Sequence, residues 1–260
     1  MRISILGSGS GGNATFIEID GIKILIDAGF SGKKINERLL EIKEDINKIE
    51  GILITHEHID HIQGAGIISR KYNLKIYITK ESYNICEKKL GKIKPENLIF
   101  IDINEIIFKD KVKIKPFDVM HDAARTVGFR MEGMISKKVF SISTDIGYID
   151  NRVREYFKNS DIIVIESNYD YQMLMGCDYP WDLKDRVKSR NGHLSNNDAA
   201  KFICETYNKK LKKVYLAHVS KDSNTRKIVS ETISKELNRL KIKVPVEIAR
   251  QDMVTKLYKI

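Results

Sequence analysis

Apolar positions along this chain recur with two periods. Short runs rich in β-branched residues alternate with stretches in which apolar residues return every third or fourth position. RISILGS, ATFIEID and IKILIDAG open the chain as strands, cut by glycines and by the Asp20-Gly21 turn signal, so they are expected to pair antiparallel. KINERLLEIKE predicts an amphipathic helix with Ile35, Leu39 and Ile42 on one face. GILIT predicts a short buried strand, IQGAGIISRKY a helix, KIYIT a strand, and ESYNICEKKLG a helix closed by Gly91. NLIFID, EIIFKD, KVKIKPFDV, TVGFRME and KKVFSIST predict a succession of strands. NRVREYFKNS then reads as a helix, DIIVIES as a buried strand, and SNNDAAKFICETYNKK as a helix capped by Ser195. KKVYLAH reads as a strand, SNTRKIVSETISKELNRL as a helix, and VPVEIA and TKLYKI as closing strands. No linker, repeat or low-complexity tract interrupts this alternation. One α/β domain over residues 1–260 is therefore expected, partly antiparallel, with its later strand–helix units free to lie on either of two sheets.

Composition changes this picture little. Hydrophobic residues make up 42% and charged residues 31%, ordinary for a globular chain. No run approaches the ~18 apolar residues that span a bilayer, and MRISILGSGSGG lacks a signal peptide's apolar segment. Cys86, Cys177 and Cys204 are far apart and form no C-x-x-C, which argues against a disulfide frame or a thiolate zinc site. A cytoplasmic protein with reduced thiols and no membrane association is expected. The net charge of +10 suits a polyanionic partner such as nucleic acid. The mixing of lysines with acids, as in ERLLEIKEDINK, is equally consistent with a solvated lysine-rich surface.

The histidines carry more information. His56, His58, His61, His121, His193 and His218 each follow an apolar strand or sit in a turn rich in glycine or aspartate, and Asp27, Asp145 and Glu166 occupy the same kind of place. Strand ends and their loops are where layered α/β folds gather functional groups. In THEHIDH, His56 and His58 are two apart and point the same way if extended, while Asp60 and His61 follow a turn. One ion can take the histidine pair and a second can take Asp60 and His61, with His121, Asp145 and His218 placed to complete the sets. Imidazole and carboxylate suit zinc, iron or manganese better than calcium. The plainer reading, turn and capping residues, fits a lone histidine better than this cluster.

LIDAG, THEHIDH, a lone histidine, STDIG and a late LAH follow one another in the motif order of the metallo-β-lactamase superfamily. The sequence resembles that superfamily over its whole length. The resemblance implies a four-layer αββα sandwich with mixed sheets and a two-metal site at one edge, holding Zn²⁺ or Mn²⁺ with iron a further candidate. It implies His56, His58 and His121 on one metal, Asp60, His61 and His218 on the other, Asp145 bridging them, and Asp27 orienting a ligand histidine. Asp145 stands where many lactamases have cysteine, NGHLSNNDAAKF resembles the GHS-type motif of the tRNase Z group, and IIVIESNYD looks like the strand-end acid motif of nucleases in the superfamily. Carried over, Glu166 orients and charges His193, and His193 protonates the leaving oxygen; with Asp60 these form the catalytic set. The 47 residues from 146 to 192 leave no room for a β-CASP insertion. ILGSGSGGNAT with THEHIDH, ESNYD and GHLSN most resembles the YycJ/WalJ subgroup, which implies a DNA exonuclease.

Two stretches add candidates for substrate binding. LGSGSGGN lacks the lysine of a phosphate-binding P-loop and most simply makes a turn, with Ser10 and Asn13 the residues that could reach substrate. DYPWDLKDRVKSRNGH reads as a loop in which Lys184, Arg186, Lys188 and Arg190 could hold a backbone while Trp181 or Tyr179 stacks on a base. The alternative is a solvated loop with Trp181 anchored in the core. The expected activity is metal-dependent phosphodiester hydrolysis, on DNA rather than RNA. The alternatives are a small-molecule hydrolase acting on a thioester, lactone or cyclic phosphodiester, and a non-catalytic DNA-binding protein with a structural metal.

Overall fold

The two sheets grow from two meanders. In the computed structural model, which describes residues 1–260, β1 (Arg2–Gly7), β2 (Ala14–Ile19) and β3 (Ile22–Ile26) pair antiparallel. Asp20 and Gly21, with φ of 49° and 83°, make the turn between β2 and β3, where both residues need a left-handed backbone. Helix α1 (Gly32–Glu41) then carries the chain to β4 (Gly51–Leu53). Helices α2 (Ile59–Ile62) and α3 (Ala65–Tyr72) lead to β5 (Ile76–Thr79), and α4 (Lys80–Leu90) leads to β6 (Leu98–Ile101). These three strands add in parallel, as helical crossovers allow.

The second sheet repeats the plan. β7 (Ile106–Phe108), β8 (Val112–Val119), β9 (Thr126–Gly133) and β10 (Val139–Ser143) form an antiparallel meander. After α5 (Asn151–Phe157), β11 (Ile162–Glu166) adds in parallel. Helices α6 (Tyr171–Gly176), α7 (Trp181–Lys188) and α8 (Asn196–Thr206) precede β12 (Lys213–Ala217), and α9 (Arg226–Arg239) precedes β13 (Val246–Ile248). β14 (Tyr258–Lys259) returns to pair with β1, giving two sheets of seven strands.

Side-chain alternation explains the four layers. Ile162 and Val164 of β11 face a central core with Ile24 and Ile26 of β3, while Ile163 and Ile165 face an outer core with Phe202 of α8 and Ile233 of α9. Leu25, Ile52 and Ile54 face the other outer core, with Ile35 and Leu39 of α1 and Ile68 of α3. Both faces of each sheet are thus covered, which is why DIIVIES and GILIT are nearly continuous apolar runs. The expected αββα sandwich with mixed sheets is present. No helix is long and apolar enough to cross a membrane.

Two expectations need correcting. IQGAGIISRKY does not form one helix, because the backbone passes too close at Gly64 to the turn after β3. Gly64 N donates to Ala28 O at 2.8 Å, and a Cβ there would meet Phe30 O at 2.3 Å. DYPWDLKDRVKSRNGH is not a loop: its centre is α7, which packs Leu183 and Val187 on a small core with Tyr169 and Leu174. Trp181, 69% exposed, anchors no core.

Candidate active site

The functional groups gather at one edge of both sheets. Asp27 follows β3, His56 and His58 follow β4, and Asp60 and His61 lie in α2. His121 follows β8, Asp145 follows β10, Glu166 ends β11 and His218 follows β12. Three of these strand ends use the same device. Asp27, Asp145 and His218 have φ of 60°, 54° and 51°, a left-handed conformation that costs about 1–3 kcal/mol for a residue with a Cβ. The local cost is retained where the turn aims a side chain inward.

The side chains fall into two triads with a carboxylate between them. The donor atoms of His56, His58 and His121 lie within 4.8 Å of one another, as do those of Asp60, His61 and His218. Asp145 Oδ2 lies 3.1 Å from His61 Nε2, and Oδ1 lies 3.5 Å from His218 Nε2 and 3.8 Å from His121 Nε2. His56 Nε2, His121 Nε2, His218 Nε2 and Asp145 Oδ2 are buried and lack any hydrogen-bond partner. Buried polar atoms without partners are costly, and a divalent ion is the partner that imidazole nitrogen and carboxylate oxygen share. The residues present therefore fit metal ions.

The opposite edges of the imidazoles are held. Asp27 Oδ2 accepts from His61 Nδ1 at 2.7 Å, and Thr55 N donates to Asp27 Oδ1 at 2.9 Å. Gly192 O accepts from His121 Nδ1 at 3.1 Å. Glu166 Oε1 lies 2.8 Å from Nδ1 of both His193 and His218, while Oε2 accepts from the backbone N–H groups of Ile146 and Leu194. Partners of this kind fix the tautomer and aim the free nitrogen at the centre. They also set the charges. Burial opposes the imidazolium of His218, but Asp145, Asp60 and Glu166 outweigh it and raise its pKa to about 10. Burial likewise opposes His61, and Asp27 and Asp145 push it well above the ordinary value. Burial, reinforced by His61, holds His56 well below. Burial opposes charge on His193, and Glu166 overcomes it, raising the pKa. Glu166 itself, despite burial, is brought down to about 2 by His193 and His218.

A proton balance follows from these charges. Only neutral imidazole binds a metal, so ion uptake must displace protons from His61 and His218. Groups with raised pKa keep their protons at neutral pH, so metal binding tightens as pH rises. Calorimetry at about pH 7.5, in buffers of different ionisation enthalpy, should show more than about one proton released per protein on saturation with Zn²⁺. Heats independent of the buffer would contradict this.

Several supporting residues lie inside the sequence motifs, which do not by themselves assign them a role. Thr55 Oγ1 touches Asp27, His56 and His61. Ser8 Oγ accepts from His218 N at 2.8 Å, and Asn168 Nδ2 donates to His218 O at 2.8 Å. Glu57 points away from its histidine neighbours and accepts from Ala124 N at 2.7 Å, tying THEHIDH to the loop after His121. Thr55 and Glu57 lie in THEHIDH, Ser8 in LGSGSGGN and Asn168 in IIVIESNYD, but only the fold shows which group each one holds.

Of the substrate-binding candidates, Asn13 and Lys184 are buried while Ser10 and Arg186 are exposed. Asn13 is buried, with its amide 3.2 Å from Asp60 Oδ2 and 3.1 Å from His61 Nε2, so it faces the candidate ligands rather than solvent. Ser10 is exposed on the same turn. Lys184 is buried: its ammonium donates to Met175 O at 2.8 Å and lies over Trp181, which leaves it no phosphate to reach. Arg186 is exposed and pairs with Asp122. Lys188 pairs with Asp185 at 2.9 Å, Arg190 lies 4.0 Å over the ring of Tyr148, and Tyr179 donates to Asp222 at 2.8 Å.

The loops that carry the site are clipped together by backbone hydrogen bonds. Asn13 N donates to Asp60 O, Ala28 N to His61 O and Gly29 N to Asn13 O, each at 2.8 Å. A Cβ on Gly29 would lie 1.6 Å from Asp60 O, so only glycine permits the approach. Gly29→Ala should lower stability by about 2–4 kcal/mol, read as a drop of roughly 5–15 °C in melting temperature. A melting temperature unchanged within error would show that the clip is absent.

Comparison with known proteins bears on the family and the fold. Residues 23–219 match the family described as "Beta-lactamase superfamily domain". The chain is 37% identical over 248 residues to exodeoxyribonuclease WalJ of Streptococcus pneumoniae, covering 95% of this chain and 91% of the relative. It is 34% identical over 237 residues to exodeoxyribonuclease YycJ of Bacillus anthracis, covering 91% and 89%. Among solved structures, the metallo-β-lactamase fold protein YhfI from Bacillus subtilis superposes with a TM-score of 0.71 at 15% identity, over 98% of this chain and 99% of that one, a likeness of fold.

Proposed function

The chain belongs to the metallo-β-lactamase superfamily, and from that footing we propose that it is a metal-dependent exodeoxyribonuclease working as one domain over residues 1–260. The observation that carries this reading is the pair of triads sharing Asp145, set beside the Glu166–His193 pair. The donor set suits two divalent ions, Zn²⁺ or Mn²⁺, with iron a further candidate. His56, His58 and His121 hold one; Asp60, His61 and His218 hold the other; Asp145 serves both. Bound there, such ions supply Lewis-acid stabilisation of the phosphoryl oxygens and a water acidic enough to attack phosphorus near neutral pH.

The chain's own groups do the rest. Glu166 accepts from Nδ1 of His193, which leaves Nε2 as the nitrogen that can meet substrate. His193 is 21% exposed at its side chain, against 5% for His218, so it is the one of the two that a leaving group can reach. With its pKa raised, the imidazolium is populated near neutrality and gives its proton to the departing sugar oxygen. DNA as substrate is supported by the names of the two curated relatives, and a polyanion by the net charge of +10. The setting we assign is the cytoplasm.

The test is a cleavage assay. Purified protein loaded with Mn²⁺ or Zn²⁺ is incubated with end-labelled single- and double-stranded DNA and RNA, and the products are resolved on a gel. Nucleotides shortened progressively from one end of DNA are expected. Internal cuts, cleavage of RNA alone, or intact substrates would overturn the proposal.

A further inference from the structure

The two flanks of the site differ. On the His121 side, the loop after β8 is tied to α7 by the Asp122–Arg186 ion pair and to the segment after α7 by His121 Nδ1 donating to Gly192 O. Arg125, on the same side, is spent on Asp118 and Asp102, each at 2.7 Å. On the His218 side lies a groove of about 360 Å³ whose lining includes Ser8, Ser220, Lys221, Arg226, Arg250 and Asp252. It abuts the site, because Ser8, on its wall, holds the backbone N–H of His218.

Two of the groove's three cations are unpaired, and its walls are fixed. Lys221 and Arg226 are exposed, with no carboxylate within 4.0 Å, whereas Arg250 is held at two points by Asp252. The one acid in the β12–α9 loop, Asp222, accepts from the Tyr179 hydroxyl at 2.8 Å. Ser220 N donates to Asn168 O and Asn224 Nδ2 to the same oxygen, both at 2.9 Å, so the loop is anchored to the segment after β11. Ser220 Oγ accepts from Ser223 N at 3.1 Å and keeps its own proton to give. A strand of linked phosphates is the ligand that uses two free cations and a hydroxyl donor leading away from a phosphodiester site.

We propose that this groove holds the backbone of the uncleaved part of the DNA strand, with Lys221 and Arg226 on its phosphates. The inference rests on the nuclease reading. The probe is a short single-stranded oligodeoxynucleotide with phosphorothioate linkages, bound to metal-loaded protein and followed by fluorescence anisotropy across a salt series. Lys221→Gln with Arg226→Gln should weaken binding roughly tenfold or more at ~0.1 M salt. The same pair should flatten the slope of log affinity against log salt by about 1.4, at ~0.7 per phosphate contact. Lys235→Gln with Lys243→Gln removes equal charge from exposed positions outside the groove and controls for net charge. Unequal losses, larger in the groove pair, support the groove. Equal losses in both pairs, or none in the groove pair, overturn it; wild-type cleavage of DNA would then leave the nuclease reading standing. Wild-type protein that neither binds nor cleaves DNA overturns both.

Discussion

Replacing Asp145 should remove DNA hydrolysis and metal retention together. Its two oxygens reach toward both triads, 3.1 Å from His61 Nε2, 3.5 Å from His218 Nε2 and 3.8 Å from His121 Nε2. No other carboxylate has this position; Asp60 approaches only His61 and His218, at 3.5 and 3.6 Å. Without the Asp145 charge, the His56, His58 and His121 triad has no carboxylate among its members, and Asp60 is the one acid left in the other. Asp145→Asn is the better variant, because asparagine tolerates the backbone at φ 54° that would strain alanine. Turnover on DNA should fall by more than about 10³-fold, the upper range for losing one transition-state-stabilising group. Elemental analysis after dialysis should show the metal content fall in parallel. Full metal content with normal turnover would remove Asp145 from the centre.

His193→Ala should separate chemistry from metal binding. His193 sits behind Gly192, where a Cβ would meet Arg186 O at 2.1 Å, and its own N–H donates to Val187 O at 2.8 Å. The imidazole is therefore fixed by a close contact with the end of α7, and Glu166 takes its Nδ1 at 2.8 Å. The candidate metal triads are complete without it. Its loss should leave both ions in place and slow DNA hydrolysis by about 10²–10⁴-fold, the usual worth of a positioned proton donor. A nitrophenyl phosphodiester, whose leaving oxygen needs no proton, should be slowed far less. Loss of metal, or equal slowing on both substrates, would make His193 a ligand or a structural residue.

How much of this was legible in the sequence differs by element. THEHIDH compresses four candidate ligands into six positions, and each remaining ligand follows an apolar run, so the site could be read before the fold was known. The pairing of Glu166 with His193 was legible for a related reason: a carboxylate ending a buried strand needs a partner. Its second bond, to His218, was not. It depends on β11 and β12 being parallel neighbours in a register that sets Glu166 opposite Ala217, one residue before His218. Helix α7 was hidden because WDLKDRVK has only Leu183 and Val187 to mark an apolar face after Trp181, and the core they join is supplied by Tyr169 and Leu174 from the preceding segment. The burial of Lys184 follows from that packing and reverses the reading of a basic loop. The burial of Asn13 was not legible for the opposite reason: a glycine-rich turn signals freedom, but here Gly29 lets the chain close tightly enough to bury the amide against Asp60.

Hydrolysis of DNA by two ions, held by two triads that share Asp145, would make activity depend on metal. Protein stripped by a chelator should be inactive and should regain DNA hydrolysis as Mn²⁺ or Zn²⁺ is titrated in. Activity rising to a plateau at about two equivalents of metal per chain is the result expected of a two-metal hydrolase. A plateau at one equivalent, or full activity in the stripped protein, would contradict it.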